Sequence, residues 1–388
     1  MEIKEELWGP LADRYRHEQP RKILSLDGGG IRGLMTARVL VDLEAKLQAK
    51  LGRDDTFCLA EYFDYIGGTS TGAIIAAALA RGMRAKPLLQ FYQDFGEEAF
   101  TKASLLGRLR ALYRKKPLEN KLREVYGPAT NLSPRDLKTL LLVVMRNRNT
   151  DSAWPISSNP QALYNIRSIS GYCNLEIPLY QLVRASSAAP AYFSPEDVEV
   201  GPGETYTFVD GGTTAYNNPA FLLHRMATEP AYRLGWAKGE DKLLIVSLGT
   251  GGSAVLGGSK PNIAQAAFNT LLAVMNQAQV DQDMNCRTVG RCTYGAELDQ
   301  EVGDLIPRDG QGNTIPLSTP LGRDFLYARY DVDLDPDGKG LSALDPSLAD
   351  IDPEKVSKLD STESMPDLLR IGEKLGGKVD LAHFGGFV

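Results

Sequence analysis

Gly68-Thr69-Ser70-Thr71-Gly72 is the stretch on which the reading of this chain turns. It is approached by Tyr62-Phe63-Asp64-Tyr65-Ile66 and runs into Ala73-Ile74-Ile75-Ala76-Ala77-Ala78-Leu79-Ala80, which is rich in strong helix formers. The pattern is strand, tight turn, helix. A glycine on either side of the serine leaves room for a strained turn and for close approach of neighbouring backbone. The hydroxyl can then stand exposed at the top of a sheet, as in a nucleophile elbow. The same five residues also fit a small-residue turn in which Ser70 only caps the helix.

Outward from the elbow, the chain places similar turns at other strand ends. Upstream, Arg21-Lys22-Ile23-Leu24-Ser25-Leu26 reads as a buried first strand ending in Asp27-Gly28-Gly29-Gly30-Ile31-Arg32-Gly33. The apolar spacing of Val39, Leu40, Leu43 and Leu47 predicts a helix from Leu34 to about Leu51. Gly28, Gly30 and Gly33 formally satisfy a dinucleotide-binding G-x-G-x-x-G. Two features count against that reading: the acidic residue expected about twenty positions on would fall near Asp54 or Asp55, where there is no strand pattern, and Asp27 would set a negative charge beside a pyrophosphate. In the other reading, consecutive glycine amides at a helix N-terminus form a nest for an oxyanion. Arg32 then either fixes the loop, supports that charge, or forms an ordinary salt bridge with Asp27.

Downstream of the elbow, a helix is expected from Pro87 through Phe100, and Leu140-Leu141-Leu142-Val143-Val144-Met145 reads as a further central strand. The stretch from there to about Pro178 reads as loop. Ile177 to Ala189 is expected to be helical, ending in the small-residue run Ala185-Ser186-Ser187-Ala188-Ala189, which implies close backbone packing. Tyr206-Thr207-Phe208-Val209 is a short strand delivering Asp210-Gly211-Gly212, a second acid followed by glycine at a strand end. Asn218 and Pro219 suit a helix start. Leu243 to Leu248 is another strand, closing in Gly249-Thr250-Gly251-Gly252. Beyond about residue 255, Asn262 to Met284 reads as a long helix, Phe325 to Val332 as a late strand and Glu363 to Leu375 as a final helix. Strands alternating with helices argue for an α/β fold, with a mostly parallel sheet covered on both faces.

Composition narrows the function classes. A chain of 388 residues with a net charge of −6 has the size for one large or two ordinary domains. It lacks the basic footprint of a protein whose main partner is DNA or RNA. Met1-Glu2-Ile3-Lys4-Glu5-Glu6 leads into no apolar run, and the richest apolar stretch, Leu137 to Met145, is strand-sized. Cys58, Cys173, Cys286 and Cys292 have neither zinc-ligand nor CxxC spacing. A cytoplasmic protein with reduced thiols is expected, meeting any membrane from its inner, water-facing side. Two local motifs stay ambiguous or fail. Leu105 to Lys116 interleaves apolar residues with Arg108, Arg110, Arg114, Lys115 and Lys116, which fits either a solvated helix face or a surface for anionic headgroups or ligand. Asp333-Leu334-Asp335-Pro336-Asp337-Gly338 opens like a calcium loop, but Leu344 stands where the bidentate glutamate belongs, so a polar turn is expected.

Taken in order, Asp27-Gly28-Gly29-Gly30-Ile31-Arg32-Gly33, Gly68-Thr69-Ser70-Thr71-Gly72 and Asp210-Gly211-Gly212, with Ala185 to Phe193 between the last two, resemble the patatin-like phospholipase family. The resemblance covers roughly residues 20 to 255. It implies a three-layer α/β/α sandwich with a mostly parallel central sheet, and a serine lipid acyl hydrolase working on membrane phospholipid through a Ser-Asp dyad. Ser70 would be the nucleophile and Asp210 its base, while the amides of Gly28, Gly29 and Gly30 would hold the oxyanion with Arg32 in support. No metal and no cofactor are implied. Residues 1–20 are expected to form an N-terminal arm and 21–388 one catalytic domain, with 21–255 its core and 256–388 an extension of it. The layout further resembles the effectors of antiphage defence that a cyclic di- or trinucleotide switches on, which implies a nucleotide activator and a change of homo-oligomeric state. The chain order Ser70, Asp210, His224 leaves an ordinary triad as the mechanistic rival. A nucleotide-binding module using residues 28–33 is the rival from another class.

Overall fold

The computed structural model describes residues 3–99, 115–190, 192–252, 263–299, 301–313 and 322–388. The basic part of the 105–116 stretch that precedes Lys115 lies outside them. Nine strands among the described residues form one sheet: β1 (Arg21–Leu26), β2 (Tyr65–Thr69), β3 (Leu140–Asn147), β4 (Ser152–Ser157), β5 (Glu196–Gly201), β6 (Glu204–Asp210), β7 (Leu243–Leu248), β8 (Arg291–Tyr294) and β9 (Leu326–Tyr330). The order is β5-β6-β3-β2-β1-β7-β9-β8, with β4 also paired to β3. The run from β3 to β8 is parallel, whereas β4, β5 and β6 enter through antiparallel pairings.

Every residue of β7 is buried, as are those of β1 apart from Lys22 and those of β3 apart from Arg146. Continuous apolar runs of this kind belong to parallel strands covered on both faces. The longer helices provide that cover: α1 (Gly33–Lys50), α2 (Thr71–Ala80), α3 (Ala85–Ala99), α4 (Lys115–Tyr126), α5 (Leu179–Ser186), α6 (Ala220–Thr228), α7 (Ile263–Val289) and α8 (Met365–Gly377). Strand alternation divides the core. Leu24, Leu26, Ile66 and Leu141 point into a cluster with α1, α2 and α8. Ile23, Tyr65, Leu140 and Ile245 point into a second, with α6, Cys286 of α7, and Trp8, Leu11 and Tyr15 from the stretch before β1. The result is a three-layer α/β/α sandwich. All ten residues of α2 are buried, because alanine and glycine side chains let its backbone lie directly against β2 and β3.

Three elements differ from expectation. β4 stands where loop was expected: Ser152-Ala153-Trp154-Pro155-Ile156-Ser157 contains a proline, which ordinarily argues against a strand unless the strand lies at an edge. β5 is the unanticipated first arm of a hairpin turning at Gly201-Pro202-Gly203. Only four residues long, β8 is set by its pairing with β9 rather than by its own pattern.

The order of the parallel strands places the site. From β1 the chain builds outward through β2 and β3, then returns to add β7 on the other side of β1. The crevice at the carboxyl ends of strands at such a reversal is where α/β sheets bind ligands. The loop 27–33 leaves β1 there, flanked by the turns that follow β2 and β7.

Candidate active site

Ser70 follows the last residue of β2 and precedes the first of α2. Its backbone sits at φ 54°, ψ −121°, a region that non-glycine residues rarely occupy and that carries strain. The flanking glycines make the turn sterically possible: a Cβ on Gly68 would stand 2.1 Å from the carbonyl oxygen of Gly72, and one on Gly72 would stand 2.2 Å from that of Leu26. The strained backbone is pinned. Ser70 N–H donates to Ser186 Oγ at 2.9 Å, and the Ser186 hydroxyl donates in turn to Val144 O at 2.6 Å. Ser186 had been expected only to pack closely; its hydroxyl links the elbow to β3.

Asp210 arrives from the opposite direction. Met145, Arg146 and Asn147 of β3 pair with both β4 and β6, so those two strands lie on opposite sides of β3. Leu142, Val143 and Val144 pair with both β4 and β2, so β2 also lies opposite β4. β2 and β6 therefore run head-on along one edge of β3, Thr69 ending opposite Val144 and Asp210 ending opposite Met145. At that junction Ser70 Oγ donates to Asp210 Oδ2 at 2.6 Å. The other oxygen, Oδ1, accepts Gly212 N–H at 2.7 Å. Burial pushes the carboxyl of Asp210 up to about 6, against the opposing pull of the hydrogen bonds from Ser70 and Gly212 and of the Arg184 charge. A carboxylate so placed can take the serine proton without an imidazole between them.

His224 is not brought to this pair. It lies on α6, packed against the rings of Phe221 and Phe325, with Nε2 3.2 Å from Asp324 Oδ2. Burial depresses its imidazole to about 4, against the opposing pull of the Asp324 carboxylate. The arrangement offers no Ser-His-Asp relay.

The glycine loop lies against the elbow, since a Cβ on Gly28 would be 3.2 Å from Ser70 Cβ. Its amides differ. Gly28 N–H, counted above as an oxyanion donor, is committed to Asn217 O at 3.0 Å. Gly29 and Gly30 N–H meet no acceptor among the described residues, so both remain available as donors. Arg32 is a strut. Its Nη1 donates to Gly251 O at 2.8 Å and its Nε to Gly29 O at 3.3 Å, tying the loop to the turn after β7, while burial pulls its guanidinium down to about 10. It makes no ion pair with Asp27, whose Oδ2 instead accepts from Arg329 Nη2 at 2.7 Å. The dinucleotide alternative loses its geometry as well, because β2 ends in the serine elbow rather than in an acidic residue. Gly28 O is held by Thr250 Oγ1 at 2.7 Å and, more weakly, by Asn217 Nδ2 at 3.4 Å.

Among the described residues no His, Cys, Asp and Glu group is arranged to hold a metal ion. Asp333 Oδ1 accepts Asp335 N–H in a polar turn. The four cysteines are unpaired. No helix among the described residues is long and apolar enough to cross a membrane.

A family model described as patatin-like phospholipase matches residues 24–224, a span that holds the glycine loop, the elbow and Asp210. Patatin-17 of Solanum cardiophyllum is 31% identical over 245 residues, covering 59% of this chain and 60% of that protein. Patatin-15 of Solanum tuberosum is 31% identical over 252 residues, covering 60% and 61%. The matches thus span about three-fifths of the length of these curated relatives. Among solved structures, human GIVD cytosolic phospholipase A2 bound to methyl gamma-linolenyl fluorophosphonate and terbium chloride is similar at 16% identity and a TM-score of 0.41, over 94% of this chain and 58% of that one. VipD from Legionella pneumophila is similar at 11% identity and a TM-score of 0.31, over 90% and 67%.

Proposed function

The chain belongs to the patatin-like phospholipase family, and from that premise we propose that it is a serine lipid acyl hydrolase, cleaving fatty-acyl esters of membrane phospholipids through a Ser70-Asp210 dyad. The observation that carries this reading is the 2.6 Å hydrogen bond from Ser70 Oγ to Asp210 Oδ2. A serine is a poor nucleophile at its free pKa and needs a positioned base. In the first half-reaction Ser70 Oγ gives its proton to Asp210 and bonds to the ester carbonyl carbon. The oxyanion that forms is met by the Gly29 and Gly30 amides. Collapse breaks the bond to the alcohol, which leaves as lysophospholipid carrying the proton from Asp210. Water then attacks the acyl-serine, giving a proton to Asp210. As the second tetrahedral intermediate collapses, Ser70 recovers that proton and fatty acid is released. The elbow holds the nucleophile outward for both attacks, and backbone donors aimed at developing charge often supply the largest single term.

The deciding experiment is fatty-acid release from mixed phospholipid vesicles by wild type and Ser70→Ala. Release by the wild type that falls to background in the variant is expected. No serine-dependent release under any condition would sink the proposal. The likeness to antiphage effectors supports a finer version, in which a cyclic di- or trinucleotide activates the enzyme at the inner membrane face and changes its oligomeric state. Running the assay with a panel of cyclic nucleotides tests that version, since full activity without nucleotide excludes the requirement.

A further inference from the structure

The glycine loop is held from a part of the chain that the family match does not reach. Arg329 lies on β9, with its side chain 4% exposed. Its Nη2 stands 2.7 Å from Asp27 Oδ2 and 2.6 Å from Asp331 Oδ2, its Nη1 donates to Ser247 Oγ on β7 at 2.7 Å, and its Nε is 3.5 Å from Asp283 Oδ2 on α7. Asp27 is the residue immediately before Gly28. One guanidinium therefore joins four elements at the base of the loop.

From this hub two chains of hydrogen bonds reach the loop backbone. In the first, Asp331 Oδ1 accepts Gly251 N–H at 2.9 Å, Gly251 O accepts Arg32 Nη1 at 2.8 Å, and Arg32 Nε reaches Gly29 O at 3.3 Å. In the second, Asp331 Oδ2 accepts Gln279 Nε2 at 3.3 Å, Gln279 Oε1 accepts Asn217 Nδ2 at 3.0 Å, and Asn217 O accepts Gly28 N–H at 3.0 Å. With Asp27 directly bound, the loop is fixed at three successive residues. A planar fork of five donors can serve these acceptors together; a lysine ammonium on a flexible stem cannot match that geometry.

We infer that Arg329 is a positioning residue for the hydrolytic reaction: by anchoring Asp27 and, through Asp331, the turn at Gly251, it fixes the direction in which the Gly29 and Gly30 N–H groups point. This rests on the reading of the chain as a serine hydrolase. Oxyanion donors act only when aimed at the charge before it forms, and a misplacement of about 1 Å costs roughly a hundredfold in rate.

The test uses the full chain with Arg329→Lys and Arg329→Met, reading fatty-acid release from phospholipid vesicles and backbone hydrogen exchange of residues 27–33. Arg329→Lys keeps the buried positive charge, so it decides the matter where Arg329→Met does not fold. The expected result is a kcat lower by at least about tenfold, with KM within about twofold and faster exchange confined to residues 27–33 and 249–252. A kcat equal to wild type in folded Arg329→Lys overturns the inference. So does a reduced kcat without any change in loop exchange, because the effect would then not run through the loop. A wild type with no serine-dependent release removes the hydrolase reading and this inference with it. The two failures are separate, since only the first pair of outcomes arises with an active wild type.

Discussion

Replacing Ser186 with alanine should disable the elbow without touching either member of the dyad. Ser186 is fully buried. Its hydroxyl accepts Ser70 N–H at 2.9 Å and donates to Val144 O at 2.6 Å, so its loss orphans one backbone donor and one backbone acceptor. An unsatisfied buried polar group costs about 1–3 kcal/mol. Taking the lower part of that range for each, the total is about 2–3 kcal/mol. The Ser70 backbone stores strain of similar size, about 1–3 kcal/mol, and that strain persists only while its surroundings over-determine it. If half of the loss appears as misplacement of Oγ in the transition state, kcat falls about tenfold, at about 1.4 kcal/mol per decade. The other half appears in stability. At roughly 2.1 cal/mol/K per residue, a chain of 388 residues loses only about 1–2 °C in Tm for it. The assay pairs steady-state hydrolysis of vesicle phospholipid with a thermal melt. Ser187→Ala is the control, since that hydroxyl bonds back to Val183 O within its own helix turn at 2.9 Å and should leave kcat unchanged. Wild-type kcat in Ser186→Ala would refute the reasoning, because the nucleophile would then be held by something other than this link.

Asp210 works as a base only when ionised, and its carboxyl is raised to about 6, mainly by burial. The value of kcat/KM should therefore fall as pH drops through about 6 and level off above it; a limb near the ordinary carboxylate value of about 4 would count against Asp210 as the base. Asp210→Asn should lower kcat by about a hundredfold or more at pH 8, and near-normal turnover would exclude the dyad. Gly30→Ala meets two obstacles, a φ of 60° and a Cβ placed 2.2 Å from the Leu359 carbonyl oxygen. It should yield folded protein with kcat down at least about tenfold, as read by hydrolysis alongside circular dichroism. His224→Ala should leave kcat within about twofold of wild type, whereas a loss comparable to that of Ser70→Ala would revive the triad.

The legible parts of the fold are those where local chemistry and tertiary role coincide. Arg21–Leu26 and Leu243–Leu248 read as strands to the residue, because central parallel strands are apolar on both faces and end in glycine turns. The positions of Ser70 and Asp210 are legible for a related reason: Asp210 ends a strand and is followed by Gly211, and Ser70 stands just past a strand end in a turn bracketed by Gly68 and Gly72. β4 and β8 are not, since an edge strand with a proline and a four-residue strand take their conformation from their partners. The division of labour within the glycine loop is also illegible. Three consecutive glycines look equivalent in sequence, but Asn217, 189 residues from Gly28, takes one of the amides. Arg329 is further away still, 302 residues from Asp27, and nothing in Tyr327-Ala328-Arg329-Tyr330 distinguishes it from an arginine on any late strand. Long-range polar partners of this kind follow from topology, which the order of residues specifies only through the completed fold.

The head-on approach of β2 and β6 makes β3 a ruler. It lends no side chain to the proposed dyad, but two of its neighbouring rungs, at Val144 and Met145, set how far Ser70 stands from Asp210. Substitutions along β3 that preserve its bulk leave that spacing intact. Inserting a single residue between those rungs would lengthen the gap by about 3.3 Å and turn the following side chains to the opposite face. Two groups 140 positions apart in the chain are thus gauged by one peptide step of a third strand. The distance on which the proposed dyad depends is therefore recorded in a segment that supplies neither of its members.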